Sequence, residues 1–187
     1  YDSLGIYVQD TVSAAGGVLD VIPGLRYSYF GADANEVLDP ISGGAMSVEE
    51  DWEAVTASMR FLYPLASGRR HILFAGIAQG FRAPNLSDLT RLDTARSNEM
   101  ETPSPDLDPE NYIACELGLK SRLENWMFQV CAYYTQVDGM IVRTPTGNII
   151  DDYIEVTKKN AGDGYVQGIE ISTRCSVNFN WSTWMSG

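Results

Sequence analysis

The stretch IACELGLK at residues 113–120 decides the fold class, because its side chains alternate in character with a period of two. The apolar positions are Ile113, Cys115, Leu117 and Leu119, and the opposing positions are Glu116, Gly118 and Lys120. This alternation is typical of a β-strand that has one face in an apolar environment and the other in a polar one.

The same alternation recurs along the chain and predicts eight strands. They lie at residues 4–12, 18–30, 52–62, 72–80, 112–120, 126–142, 165–176 and from 181 onward. Short turns at residues 14–17, 64–70, 122–125 and 177–180 alternate with long polar loops at residues 31–51, 81–109 and 143–159. Short turns at one end and long loops at the other are typical of transmembrane β-barrels. The sequence therefore predicts an all-β fold, an antiparallel transmembrane barrel, rather than a soluble sandwich.

Composition argues against several other classes of protein. The net charge of −12 argues against a nucleic-acid partner, since such contacts need clustered Lys and Arg. His71 is the only histidine, and the three cysteines lack zinc or redox spacing, so we expect no metal centre and no cofactor. Adjacent carboxylates such as Glu49 and Glu50 diverge in extended backbone, and we expect no enzymatic activity.

Most of the negative charge lies in two of the long loops. Residues 31–51 contain six acidic and no basic side chains, and residues 88–110 contain seven acidic and two basic ones. Such a run usually forms a solvated rim. The alternative is that it attracts cations or bridges to lipopolysaccharide through divalent ions.

Four phrases in a fixed order carry a resemblance to a known family. They are FRAPNL at residues 81–86, PDLDPEN at 105–111, YYTQVDGMI at 133–141, and NAG at 160–162 followed by GIE at 168–170. Their order resembles the strand ends of TonB-dependent outer-membrane receptors, clearly from residue 51 onward. The resemblance implies a middle-to-late segment, with about eight of about 22 barrel strands and without the plug domain. We accordingly expect an internal piece of a longer protein.

The resemblance also implies a function and a location. It implies a bacterial outer-membrane transporter for the energy-coupled uptake of a scarce nutrient such as an iron chelate or cobalamin. The implied partners are the plug of the same full-length chain, an inner-membrane energy-coupling protein acting through the plug, outer-membrane lipid and lipopolysaccharide, and a small-molecule cargo. Haem is disfavoured, because residues 85–104 lack histidine. The alternatives are a complete eight-stranded barrel with an adhesive or structural role, and a soluble β-sandwich binding module.

Two sets of candidate site residues follow. At the extracellular mouth we expect ligand contacts from Phe81, Arg82, Asn85, Arg91, Arg96 and Asn98. Facing the lumen or the plug we expect Asp20, Arg26, Arg60, Glu116, Lys120, Glu170 and Arg174. Charges on the lipid-facing side of these strands would cost several kcal/mol near the bilayer midplane, so the lumen is the favoured side.

The short turn at residues 122–125 predicts a register. If this hairpin is symmetric about its centre, Leu117 faces Val130, Leu119 faces Phe128 and Cys115 faces Ala132 on the outer side. Cys131 then points inward. We therefore expect no disulfide between Cys115 and Cys131.

Overall fold

The computed structural model describes residues 1–38, 43–65, 68–95, 98–178 and 181–186. The long strands are β1 Asp2–Gln9, β3 Leu19–Leu38, β4 Ala45–Pro64, β5 His71–Arg82, β8 Glu110–Arg122, β9 Trp126–Ile150, β10 Tyr153–Asn178 and β11 Trp181–Ser186. The short elements are β2 Val12–Ala14, a 3-10 turn Ala15–Gly17, α1 Leu86–Thr90, β6 Asp93–Ala95 and β7 Glu99–Glu101.

The long strands form one antiparallel sheet in which neighbours in sequence are neighbours in space. The order is β1-β3-β4-β5-β8-β9-β10, with β11 paired to β10 and β2 extending β1 along β3. The sheet curls into a half-barrel. The predicted fold class, an antiparallel barrel segment of eight strands, is confirmed.

The strand register separates an apolar outer face from a polar inner face. One outer row runs from Phe61 through Ala75, Leu117 and Ala132 to Ile169 across five strands. Leu117 is 55% exposed and Ile169 is 68% exposed, although both are aliphatic. A continuous apolar face turned away from the inside of a curled sheet matches the lipid-facing surface of a membrane barrel.

Two of the predicted long loops are wrong, because they consist mainly of strand. β3 continues to Leu38 and β4 begins at Ala45, while β9 continues to Ile150 and β10 begins at Tyr153. Residues 31–38 and 45–51, and likewise residues 143–159, therefore belong to the ends of long hairpins. Backbone ladder bonds persist there, but the regular apolar alternation that marks a half-buried strand does not. Within the predicted turn at residues 177–180, residues 179 and 180 lie outside the described ranges.

The predicted register of the β8–β9 hairpin is wrong by two residues. Leu117 pairs with Ala132, Leu119 with Val130 and Ser121 with Phe128. The connection is residues 123–125, closed by a hydrogen bond from the Leu123 amide to the Trp126 carbonyl at 2.8 Å. The hairpin is therefore symmetric about the point between Glu124 and Asn125, one residue later than the centre of the predicted turn, which lies between Leu123 and Glu124.

The cysteines follow from the corrected register. Cys115 faces Tyr134 on the outer side instead of Ala132, and Cys131 faces Gly118 on the inner side. Cys115 and Cys131 thus lie on opposite faces of the sheet. Both are free thiols, as is Cys175.

The third long loop folds back onto the inner face. Residues 83–109, hereafter the mouth loop, contain α1, β6 and β7. Leu89 and Leu107 of this loop pack against Ala32, Val48 and Trp52 of the β3–β4 hairpin. The main buried apolar cluster is therefore an interface between the loop and the wall.

Candidate functional site

The mouth loop begins with a tightly capped turn. The side chain of Asn85 accepts a hydrogen bond from the Asp88 amide at 3.0 Å, and the Asp88 carboxylate accepts one from the Asn85 amide at 3.1 Å. This reciprocal pair is a capping box that satisfies amides at the start of α1. It places the Asp88 carboxylate beside the end of β5.

Arg82 joins the two ends of the mouth loop. It is the last residue of β5 and pairs in register with Glu110, the first residue of β8. Its guanidinium lies 2.8 Å from the Asp88 carboxylate and 3.1 Å from that of Glu110. Glu110 also accepts a hydrogen bond from the Ile141 amide at 2.9 Å. The loop therefore leaves and re-enters the sheet around one arginine.

Lys158 of β10 lies at the centre of a second ionic group. Its ammonium is 3.0 Å from Asp88 and 3.3 Å from Glu101. The Glu101 carboxylate is in turn 3.2 Å from Arg143 and 3.8 Å from Arg91. The side chains of Lys158, Asp88 and Glu101 are 13%, 9% and 5% exposed, so these charges depend on one another for stabilisation.

Glu101 is the most deeply buried charge in this group. Among the described residues, its Oε1 atom is the one buried side-chain oxygen without a hydrogen bond. The counter-charge at this oxygen is the Lys158 ammonium, 3.3 Å away. Removing that lysine would leave this oxygen without a polar partner, and the carboxylate would keep only Arg143 and Arg91, both at its other oxygen.

The ionic surroundings set the titration of Asp88. Burial alone would raise the pKa of this carboxyl, but the Asn85 amide and the positive charges of Lys158 and Arg82 outweigh burial. The pKa of Asp88 is accordingly held below its ordinary value of 3.8. Asp88 is therefore ionised at neutral pH.

Backbone pairing fixes the far side of the mouth loop to β10. β7 pairs in parallel with β10, with Glu99 opposite Ile154 and Glu101 opposite Val156. Ser104 extends this contact, since its hydroxyl accepts a hydrogen bond from the Lys158 amide at 2.8 Å. The loop thus bridges the barrel mouth from the β3–β4 hairpin to β10.

The structure brings some of the predicted mouth residues together. Arg82 and Asn85 meet at Asp88. Arg91 is linked to them less directly, because it pairs with Glu101, which shares Lys158 with Asp88. Phe81 stacks at a tilt on Phe30, with ring centroids 5.9 Å apart.

Asn98 lies apart from that group. Its side chain donates to the Asp152 carbonyl at the tip of the β9–β10 hairpin, at 2.9 Å. Arg96 lies outside the described residues. The described predicted donors thus hydrogen-bond or pair within the chain, and their role toward a ligand stays a prediction.

Sequence reasoning missed the residues that hold the loop on the wall. These are Asp88, Glu101, Arg143 and Lys158. Arg143 and Lys158 belong to residues 143–159, which the sequence analysis treated as a loop. Opposite charges in two segments predicted to lie at the same barrel end are the signal that could have paired them.

A comparison with protein families decides what this barrel segment is. The family model described as TonB dependent receptor-like, beta-barrel matches residues 1–187. The chain belongs to this receptor family. A comparison with curated proteins found no match.

Solved receptors share the fold of this TonB-dependent receptor barrel. A double mutant of the Serratia marcescens hemophore receptor HasR, in complex with its hemophore HasA and heme, has a TM-score of 0.72 and 15% identity, covering 94% of this chain and 32% of HasR. The copper transporter OprC gives 0.70 and 18%, covering 98% and 28%. The siderophore receptor PirA from Pseudomonas aeruginosa gives 0.69 and 16%, covering 98% and 41%. The chain spans less than half the length of each, and at these identities the likeness concerns the fold.

The register places all seven predicted lumen residues on the inner face of this receptor segment. Asp20 and Glu170 lie in one row, and Arg60 and Glu116 lie in the next. Arg26, Lys120 and Arg174 have the same parity on their strands. That these residues contact a plug stays a prediction.

Several of these charges are compensated within the wall. Asp20 pairs with Arg69 at 2.5 Å, and Arg60 pairs with Glu116 at 3.4 Å. The Lys120 ammonium lies 5.1 Å above the Phe74 ring. The Phe74 ring lies against Gly118, where an added Cβ would collide with the ring and with the Val130 carbonyl. The inner face is therefore a polar wall with local packing of its own.

Two further observations concern possible metal sites and membrane-spanning helices. Within the described ranges, no three His, Cys, Asp or Glu side chains are grouped so that they could hold a metal ion. In that same part of the chain, no helix is both long and apolar enough to cross a membrane.

Proposed function

We propose that this chain forms part of the outer-membrane wall of a receptor for energy-coupled uptake of a scarce nutrient. The family match over residues 1–187 carries the proposal. The family consists of transporters rather than enzymes. The mouth loop supports the assignment, because it covers the inner face at the end where a cargo would enter.

The cargo class is an iron chelate or cobalamin. The structurally similar PirA and FyuA are described as a siderophore receptor and a ferric yersiniabactin uptake receptor, and OprC as a copper transporter. These descriptions favour a metal chelate. The aromatic pair Phe30 and Phe81 beside Arg82 offers apolar surface and hydrogen-bond donors for such a ligand.

The proposed partners differ between the two faces of the wall. A plug domain of the full-length chain would contact Arg60, Glu116 and Glu170, whose side chains line an inner cavity of about 400 Å³. An inner-membrane energy-coupling protein would act on that plug, and the outer row would contact lipid and lipopolysaccharide. The similar receptors favour this reading over a small adhesive barrel.

The test uses the full-length protein in its own bacterium. Deleting its gene should abolish growth on one ferric chelate, or uptake of cobalamin, and a protonophore should block uptake while leaving surface binding intact. The intact mass of the outer-membrane protein is measured alongside. A mature chain near 20.6 kDa would refute the receptor and favour the small barrel.

A further inference from the structure

The sheet separates between β4 and β5 toward the end that carries the mouth loop. Within the described part of the chain, β4 pairs with β5 only from Ser58 to Pro64. Above that point, residues 45–57 of β4 pair with β3 alone, whereas β5 ends at Arg82 and pairs with β8. Because both strands belong to this chain, the separation lies within the wall and not at the end of the segment.

The backbone of β4 is directed into this separation at every second residue. The Ala57 amide turns away from β3 and donates to the side chain of Gln79 at 3.1 Å. By the two-residue period of a strand, the amides of Val55, Glu53 and Asp51 point the same way. No strand of the described residues pairs with them on that side.

A slot of about 660 Å³ lies beside this edge, lined by Glu53, Val55, Asp108 and Asp138 among others. Its lining includes these three carboxylates and neither Lys nor Arg. Its far wall is fixed, because the Asn160 side chain donates to the carbonyls of Asp108 at 2.7 Å and of Gly139 at 2.8 Å. The slot is therefore an acidic space bounded by a strand edge and a braced wall.

We propose that the β4 edge binds an extended polypeptide segment in which basic and apolar residues alternate. The segment would add a strand to β4 along residues 49–57, by hydrogen bonds to the amides and carbonyls that point into the slot. Its basic side chains would lie opposite Glu49, Asp51 and Glu53, which are exposed on the outer side of β4. This interaction surface is independent of cargo transport.

Charge identifies the occupant. An acidic strand edge discourages pairing with other acidic or neutral strands, and this is a common protection against aggregation. The same charges attract a basic strand, and the carboxylates on the opposite wall add to that attraction. A basic extended segment therefore satisfies both sides of the slot.

The test uses the purified full-length receptor in detergent and the fluorescein-labelled peptide KVKVKVKVK. Fluorescence anisotropy measures affinity, and hydrogen exchange with mass spectrometry follows the amides of residues 49–57. We expect saturable binding with new protection of these amides. The Glu53→Lys and Val55→Pro variants should each bind at least about tenfold more weakly, because one reverses a charge and the other removes an amide directed into the slot.

Two matched controls complete the design. Glu36→Gln removes an exposed acid on the neighbouring strand of the same hairpin and should leave the affinity unchanged. The peptide EVEVEVEVE should not bind. Since Glu53→Lys keeps the backbone intact, it tests the proposal even if Val55→Pro does not fold.

Three outcomes would overturn the proposal. Absence of binding is one. Binding without protection of residues 49–57 would indicate a general acidic attraction, for which divalent cations would compete. Protection that grows with receptor concentration in the absence of peptide would identify a second copy of the receptor as the occupant. Uptake of cargo enters none of these readouts, so the receptor function and this surface fail separately.

Discussion

The wall and the mouth loop are stabilised in different ways. The wall is a repetitive ladder in which apolar rows face outward and charged side chains face inward, and no single residue determines it. The mouth loop has a short helix, two three-residue strands and an apolar contact centred on Leu89, which is 0% exposed. Its position depends on a few buried charges. Substitutions should therefore have graded effects in the wall and abrupt local effects in the loop.

The largest effect is expected from Lys158→Met, which leaves Asp88 and Glu101 buried without their shared counter-charge. Loss of one partner of a buried ion pair costs about 3–5 kcal/mol. In the full-length receptor, hydrogen exchange of β7 should accelerate more than a hundredfold, because each 1.4 kcal/mol of lost stability raises the exchange rate about tenfold. The exchange rate of β8 should stay unchanged. Lys159→Met is the matched control, because that neighbouring side chain is exposed. Unchanged protection of β7 would mean that the apolar cluster alone holds the loop.

The wall gives the next largest effect. Leu117→Arg places a charge on the outer face, where the expected cost is about 2–4 kcal/mol near the bilayer midplane. Urea unfolding of the full-length receptor in lipid vesicles measures it. Thr135→Arg on the inner face is the control, because Thr135 lines the cavity of about 400 Å³ and an added side chain has room there. Equal destabilisation by both changes would contradict the assignment of the outer face to lipid.

The same contrast explains what the sequence revealed. Alternation in the wall is a property of every strand, so the strand number and the two faces could be predicted from the residues alone. The strand ends could not be predicted, because residues 31–38 and 143–150 keep their ladder bonds after the regular apolar alternation stops. The β8–β9 register depends on where the turn is centred, between Glu124 and Asn125, and hydrophobic periodicity does not locate that point.

The mouth loop was less accessible to prediction for a related reason. Arg82 and Asn85 stood out as donors, but a sequence cannot show whether a donor is used inside the chain or by a ligand. Their partner Asp88 lies a few residues away and could have been paired with them as a helix cap. Lys158 lies 70 residues further along the chain from Asp88. Only the three-dimensional structure shows that contact.

A smaller effect is expected at the start of the loop. Asn85→Ala removes the cap of α1 and should cost about 1 kcal/mol, whereas Asn85→Ser should retain most of the stability. Trypsin cleavage after Arg91 in the full-length receptor measures local opening, and it should be several times faster in Asn85→Ala alone. If both variants are cleaved equally fast, the side chain of Asn85 matters for something other than capping.

The smallest effect near neutral pH is that of protons on the loop. Because the folded pKa of Asp88 is below its ordinary value, its ionisation stabilises docking above that value and is lost as pH falls through the folded pKa. The ion pairs of Asp88 with Lys158 and Arg82 are lost once the carboxylate is protonated. Exchange-corrected protection of β7 should therefore stay constant between about pH 8 and 5 and fall only below about pH 4.

In Asp88→Asn the loop should be weakly docked already at pH 7, and the acid transition should be shallower. The exposed Asp106→Asn variant should keep the wild-type profile, and a transition near pH 6 would mean that another group controls the loop.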